Sequence, residues 1–205
     1  MIKCFALLVL FNFISCGRTN NKAKESNKDT ATTILPPKYK EKQAQKEEEA
    51  KPVINVEPVI IRPQIYLAMR DTTNFEEEAH VKLKLIFNNL SFILQKNHLQ
   101  EVGSPAAWHG RKPNLFIEEG GVLLGKKLPY HEPGTFYKET KTCAGALAHF
   151  FGKRSLLFQA YDSLNAWVKE NNKTAVSAPW EVYVSDPRTM KDVNYLQTDI
   201  FIEVR

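Results

Sequence analysis

The chain has 205 residues, of which 43% are hydrophobic and 25% charged, with a formal net charge of +5; this suits one globular domain with room for an appendage. Nine of the basic residues lie between positions 18 and 51, against six acidic ones there, so part of the excess sits on a low-complexity stretch and not on a folded basic face. With no helix-turn-helix or zinc-finger spacing, a nucleic-acid partner is not expected.

Met1-Ile2-Lys3 is a short positive start, residues 4–14 are apolar apart from Asn12, and Ser15-Cys16-Gly17 follows. That order is a secretory signal, covering residues 1–15, and it is shorter than the roughly 20 apolar residues a membrane-spanning helix needs. Phe13-Ile14-Ser15-Cys16 resembles a bacterial lipobox, with Phe13 where leucine is usual. The resemblance implies cleavage before Cys16 and acyl chains such as palmitate on its thiol, each buried methylene anchoring the protein by about 0.8 kcal/mol. Gly17 in place of aspartate implies an envelope protein lipid-anchored to a bacterial membrane, the outer one, facing the periplasm. Cys4 leaves with the signal, so Cys143 has no partner in the chain and reads as a small buried hydrophobe. Residues 16–53 are rich in Lys, Glu, Asn, Thr and Gln; they cannot bury enough surface to offset their ordering entropy and read as a disordered tether.

A folded domain is expected over residues 54–205. Residues 56–70 read as a strand carrying Val59, Ile61, Ile65 and Leu67. Asn74 is the expected cap of a helix in which Phe75, Ala79, Leu83, Leu85, Ile86, Leu90, Ile93 and Leu94 recur at three- and four-residue spacing, with Glu76, Glu77 and Glu78 in its first turn. Strands are expected at 105–110 and 114–124, with Gly120-Gly121 as a bulge or turn. A strand over 134–150 then leads to a helix capped by Ser155, whose Leu156, Leu157, Ala160, Tyr161, Leu164, Trp167 and Val168 form one apolar stripe ending near Asn171-Asn172. Strands at 179–185 and 195–204 close the chain. The order strand, helix, strand, strand occurs twice, and Ser104-Pro105-Ala106-Ala107-Trp108 echoes Ala178-Pro179-Trp180-Glu181-Val182. The expected fold is α+β: duplicated βαββ units forming a curved antiparallel sheet, two helices on one face and a ligand groove on the other.

Ala178-Pro179-Trp180-Glu181-Val182-Tyr183-Val184-Ser185-Asp186-Pro187, the helix with Ala160-Tyr161, Leu164 and Trp167-Val168, and the closing Gln197-Thr198-Asp199-Ile200-Phe201-Ile202 resemble GyrI-like domains, the effector-binding domains of AraC-type and multidrug-responsive regulators. The resemblance is strongest over residues 134–204. Members often carry Gly-Pro-Tyr before the second helix; this chain has Gly152-Lys153-Arg154, which alters access to the groove. The resemblance implies that the glutamate at position 181 contacts a small-molecule ligand.

Strand alternation assigns Trp180, Val182 and Val184 to one face and Glu181, Tyr183 and Ser185 to the other. With the apolar set expected against the helices, Glu181 and Tyr183 face the groove. A carboxylate among aromatic rings attracts amphipathic and cationic organic ligands by charge pairing and ring-face contact; Tyr66, Trp108, Phe116, Tyr137 and Phe201 are the candidate walls. The expected function is membrane-anchored binding of such a molecule, without a cofactor or metal. Two alternatives stay open. One is a hydrolase of reactive electrophilic xenobiotics, with Glu181 as general base and Tyr183 polarising a carbonyl, which would require a raised glutamate pKa. The other is a protein-interaction module of an envelope complex. His80, His98, His109, His131 and His149 show no paired metal-ligand spacing. Cys143 and His149 lie on one strand face roughly 20 Å apart, too far to form a thiolate–imidazole pair. The residues leave the ligand's identity and the oligomeric state open.

Overall fold

The computed structural model describes residues 50–130 and 132–205. The expected signal segment, Cys16 and all but the end of the tether lie outside the described residues. Eight strands and two helices follow in the order β1 (Val53–Ile61), β2 (Ile65–Thr73), α1 (Glu76–Lys96), β3 (Ala106–Lys112), β4 (Leu115–Leu124), β5 (Phe136–Glu139), β6 (Cys143–Phe151), α2 (Phe158–Glu170), β7 (Trp180–Tyr183) and β8 (Gln197–Glu203). They form one antiparallel sheet in the order β1-β6-β8-β7-β3-β4-β2-β5, curled into a half-barrel.

The expected α+β duplication is present, with a crossover that periodicity does not reveal. The single strands expected over 56–70 and 134–150 each break in two. The first strand of each half leaves its own half, β1 pairing with β6 and β5 with β2. The breaks fall at residues 62–64 and 140–142, where Pro63 lacks a ladder donor. Thr140 ties the two turns together: its amide donates to Gln64 O at 3.0 Å and its hydroxyl to Arg62 O at 2.6 Å.

Both helices cover the same face. In α1 the buried residues Leu83, Ile86, Leu90 and Leu94 meet Leu67, Val122 and Leu124 of β2 and β4. In the second half Leu157, Ala160, Leu164 and Val168 meet Ala146, Ala148, Phe150, Ile200 and Ile202 of β6 and β8. Each of the four residues of the first set has its counterpart 74 positions later in the second, Leu83 with Leu157 through Leu94 with Val168. The same offset carries Ala107 onto Glu181, and those two are direct cross-strand partners on β3 and β7. The internal two-fold of the duplication therefore runs through the Ala107–Glu181 pair.

Three local expectations need correction. Asn74 does not cap α1: the Thr73 hydroxyl accepts the Phe75 amide at 3.2 Å and donates to Glu78 at 2.7 Å, doing from the end of β2 what a cap would do. Ser155 lies in a 3-10 turn, Arg154–Leu156, and α2 begins after it without a side-chain cap. Gly120 and Gly121 form neither bulge nor turn; both keep regular ladder pairs with β2 and β3. A Cβ at Gly120 would stand 2.7 Å from Ile86 of α1, and one at Gly121 would stand 3.0 Å from Tyr66. The glycines let a helix and a ring approach the sheet from opposite sides. Asn171-Asn172 ends α2 as expected, with Asn172 left-handed at φ 52°.

Leu164 is 1% exposed at the centre of the α2 contact, whereas Leu85 on α1 is 48% exposed. Leu164→Ala should lower unfolding free energy by about 2–5 kcal/mol, and Leu85→Ala should change it by less than about 0.5 kcal/mol. Urea melts of the two variants check this.

Candidate functional site

α1 makes most of its sheet contacts on β2 and β4, and α2 on β6 and β1. The central pair β3–β7 thus lies between the helices, and side chains from both reach over it. Cross-strand partners share a face, so the register decides which residues meet there. Glu181 lies opposite Ala107 and Ile200, and Tyr183 opposite Thr198. Ile200 packs under α2, which assigns Glu181 and Tyr183 to the helix-bearing face. This reverses the expected orientation. Trp180 and Val182 point into the curl of the sheet and, with Ile61, Tyr66, Ala106, Trp108 and Phe201, fill a core that has no helix above it. Closing the half-barrel on itself supplies the burial that the sequence reading ascribed to the helices.

The candidate aromatic walls divide accordingly. Trp108 is the direct partner of Trp180, Phe201 stacks on Trp180 with 5.5 Å between ring centroids, and Tyr66 meets Trp108 edge-on at 5.3 Å. These three lie on the face opposite Glu181. Tyr137 shares the Glu181 face but packs with the α1 cluster, its hydroxyl accepting the Leu128 amide at 2.7 Å. Phe116 also shares that face, beside the Arg111 guanidinium at 4.8 Å, at the outer end of β4.

Around Glu181 the structure gathers residues that periodicity passed over. The carboxylate is 3% exposed. Its Oε1 accepts from the Tyr161 hydroxyl of α2 at 2.8 Å, and its Oε2 from the Tyr183 hydroxyl at 2.7 Å and Arg154 Nη2 at 3.0 Å. His109 of β3 faces Oε1 with Nε2 at 3.4 Å, an ion-pair separation that leaves this buried nitrogen without a hydrogen-bond partner. Its other nitrogen, Nδ1, meets Glu118 Oε2 at 2.6 Å. From α1, Phe87 sets its ring edge-on to Tyr183 at 5.9 Å. The duplication accounts for the arrangement: the 74-residue offset carries Phe87 onto Tyr161 and His109 onto Tyr183, so equivalent positions of the two halves converge on the axis with different chemistry.

Electrostatics follow from this geometry. Burial pushes Glu181 toward the neutral form, but His109, Arg154 and the Tyr183 hydroxyl outweigh it and hold its pKa at about 2. Burial opposes a charge on His109, yet Glu118 and Glu181 raise its pKa to about 9. Burial and then the Glu181 charge keep the Tyr161 and Tyr183 phenols protonated, well above the ordinary tyrosine value. At neutral pH the centre holds two carboxylates, an imidazolium and a guanidinium, with no net charge.

Tyr161 could be read from the sequence only as part of the α2 stripe, because a tyrosine on an apolar face has the same spacing whether or not its hydroxyl finds a carboxylate. His109 alternates with Trp108 on β3, and only the register reveals which of them faces the helices. Arg154 carries a signal in the Gly152-Lys153-Arg154 departure, but not the target of its side chain.

Neither a family profile nor a curated protein matches the chain by sequence. Solved structures do match by fold. The chain is similar to EcmrR: in a DNA complex of that protein the TM-score is 0.62 at 16% identity, covering 74% of this chain and 57% of EcmrR. Against the isolated EcmrR C-terminal domain the TM-score is 0.58 at 16% identity, covering 75% of this chain and 98% of that one. A hydrolase from Listeria innocua aligns with TM-score 0.54 at 8% identity, over 73% of this chain and 91% of its own. SAV2435, solved bound to tetraphenylphosphonium, aligns with TM-score 0.50 at 10% identity, over 74% and 94%. At these identities the likeness is one of fold, and it is compatible with the GyrI-like, effector-binding fold that the sequence resembles.

Proposed function

We propose that the chain is a small-molecule-binding protein of the cell envelope, anchored through acyl chains on Cys16, that takes an amphipathic organic molecule with a cationic group between its two helices. The observation that carries this reading is Glu181, an ionised carboxylate buried on the duplication axis, held by the Tyr161 and Tyr183 hydroxyls, with Phe87 packed edge-on against Tyr183. A desolvated carboxylate beside aromatic faces is a receptor for organic cations, because charge pairing strengthens out of water and ring faces attract positive charge. The fold likeness to SAV2435, which was solved with the cation tetraphenylphosphonium, supports the same ligand class. The likeness to EcmrR spans nearly all of its C-terminal domain and 57% of the DNA-bound chain, in keeping with a ligand-binding role.

Binding is favoured over hydrolysis by the protonation state of the same residue. A general base works best with a pKa near the operating pH. Glu181 is held at about 2, which makes it a weak base and a strong counter-ion. The neutral tyrosine hydroxyls beside it are hydrogen-bond donors suited to hold a carboxylate in place.

Calorimetry with tetraphenylphosphonium as probe should show binding that Glu181→Gln weakens at least about tenfold; an affinity unchanged by that substitution removes Glu181 from the site. In NMR titrations the His109 ring should protonate with a midpoint near 9 and move toward its ordinary value of 6.5 in Glu181→Gln. Because that pKa is raised on folding, the His109 contribution to stability is complete below about 6.5 and lost as pH rises through about 9. The lowered Glu181 pKa gives the opposite limb, present above about 4.5 and lost as pH falls through about 2. Thermal melts should therefore be flattest between these limbs, and His109→Gln should remove the alkaline one. Metabolic labelling with palmitate should mark the membrane fraction of the wild-type chain, and Cys16→Ser should abolish the label.

A further inference from the structure

Arg154 is the cation that Glu181 already holds. Its Nη2 donates to Glu181 Oε2 at 3.0 Å and also to the Tyr183 hydroxyl at 3.0 Å, and its guanidinium carbon lies 4.9 Å from the centre of the Tyr183 ring. One side chain thus engages both elements of a cation receptor, the carboxylate and the aromatic face. Resting on the reading of Glu181 as the ligand contact, we infer that Arg154 is a resident counter-ion that sets the specificity of the site: an organic cation reaches Glu181 only by displacing this guanidinium.

Three features make the displacement physically reasonable. First, the contact is held by a single nitrogen and not by the two-pronged fork that gives arginine–carboxylate pairs their strength. Second, the Arg154 side chain is 52% exposed, whereas that of Glu181 is 4% exposed. The guanidinium already meets water, so its release regains hydration that the buried carboxylate cannot. Third, Glu181 is not stranded when Arg154 leaves. The Tyr161 and Tyr183 hydroxyls still donate to it and His109 still faces it, so the carboxylate stays ionised and oriented for the incoming cation.

The backbone explains why the second half alone carries this residue. In the first half α1 runs unbroken from Glu76. The 74-residue offset carries the opening of α1 onto residues 150–156, and there the second half has the end of β6, a turn at Gly152 and the 3-10 turn Arg154–Leu156. The missing helical turns open one end of the interval between the helices, and Arg154 enters from that end. Its position also gives structural meaning to Gly152-Lys153-Arg154: the departure from the resembled pattern introduces a charge that competes with the ligand.

The test compares the full chain carrying Cys16→Ser with the same chain carrying Arg154→Ala or the near-isosteric Arg154→Gln, using calorimetry with ethylguanidinium and tetraphenylphosphonium. Both Arg154 variants should bind the probes at least about tenfold more tightly than the Arg154 protein, and adding Glu181→Gln should abolish the gain. Ethylguanidinium, which restores the missing group, should also raise the melting temperature of Arg154→Ala and leave that of the Arg154 protein unchanged. Equal affinity with and without Arg154 overturns the inference. So does failure of either probe to bind both Arg154 variants when circular dichroism shows them folded. Equal affinities that both disappear in Glu181→Gln would reject the displacement and keep the binding site; probe binding indifferent to Glu181→Gln would reject the binding site itself.

Discussion

An ionised carboxylate withdrawn from water costs several kcal/mol unless charges and donors meet it, and the centre of this sheet is organised by that requirement at Glu181. Two tyrosine hydroxyls, a guanidinium and an imidazolium converge on one side chain from β7, α2, the turn before α2 and β3. His109 in turn needs Glu118 on β4 to balance its own charge. The network crosses the seam between the two halves, so the polar groups that make the site also help to hold the halves in register. The dryness that makes the carboxylate costly also strengthens its attraction for positive charge.

Duplication supplies the geometry for this convergence. Two copies of one unit, related by a rotation through Ala107 and Glu181, place their helices on either side of the central strand pair and leave an interval above it. Equivalent positions face one another across the axis, and the copies have diverged where they meet. Phe87 corresponds to Tyr161, His109 to Tyr183 and Ala107 to Glu181. In the first and third pairs an apolar residue of the first half faces a polar one of the second, and in the His109–Tyr183 pair both members are polar. Positions away from the axis have kept their apolar character, because each helix must still cover its own part of the sheet.

The opposite face has its own polar organisation. Glu119, on the inner side of the curl, is met by Arg70 and Lys138; burial alone would raise its pKa, and these two cations hold it below the ordinary carboxylate value. Lys138 also lies over the Trp108 ring at 4.5 Å. His149 is paired with Asp199 at 2.8 Å on the same side. Of the aromatic side chains that the sequence suggested as ligand walls, Tyr66, Trp108 and Phe201 pack with Trp180 in the interior of the half-barrel.

The apolar spacing of α1 and α2, the short alternating strands and the repeated order of elements were legible in the residues, since burial on one side of a helix or strand imposes a period that survives in any sequence that folds. So was Glu181, a carboxylate within an otherwise apolar strand. What remained hidden depended on pairing. The swap of β1 and β5 between halves arises from turns at residues 62–64 and 140–142, and nothing in a strand's own residues names its partner. Alternation separates Trp180 from Glu181 but cannot say which of them meets the helices, because a curled sheet buries both of its faces. His109, Tyr161 and Arg154 lie 72, 20 and 27 residues from Glu181 along the chain, and only the tertiary fold makes them neighbours. The sequence by itself determined the elements, their duplication and the acidic residue between them; the register of the sheet decided what that residue faces, because contact across strands is set by long-range pairing and not by local period.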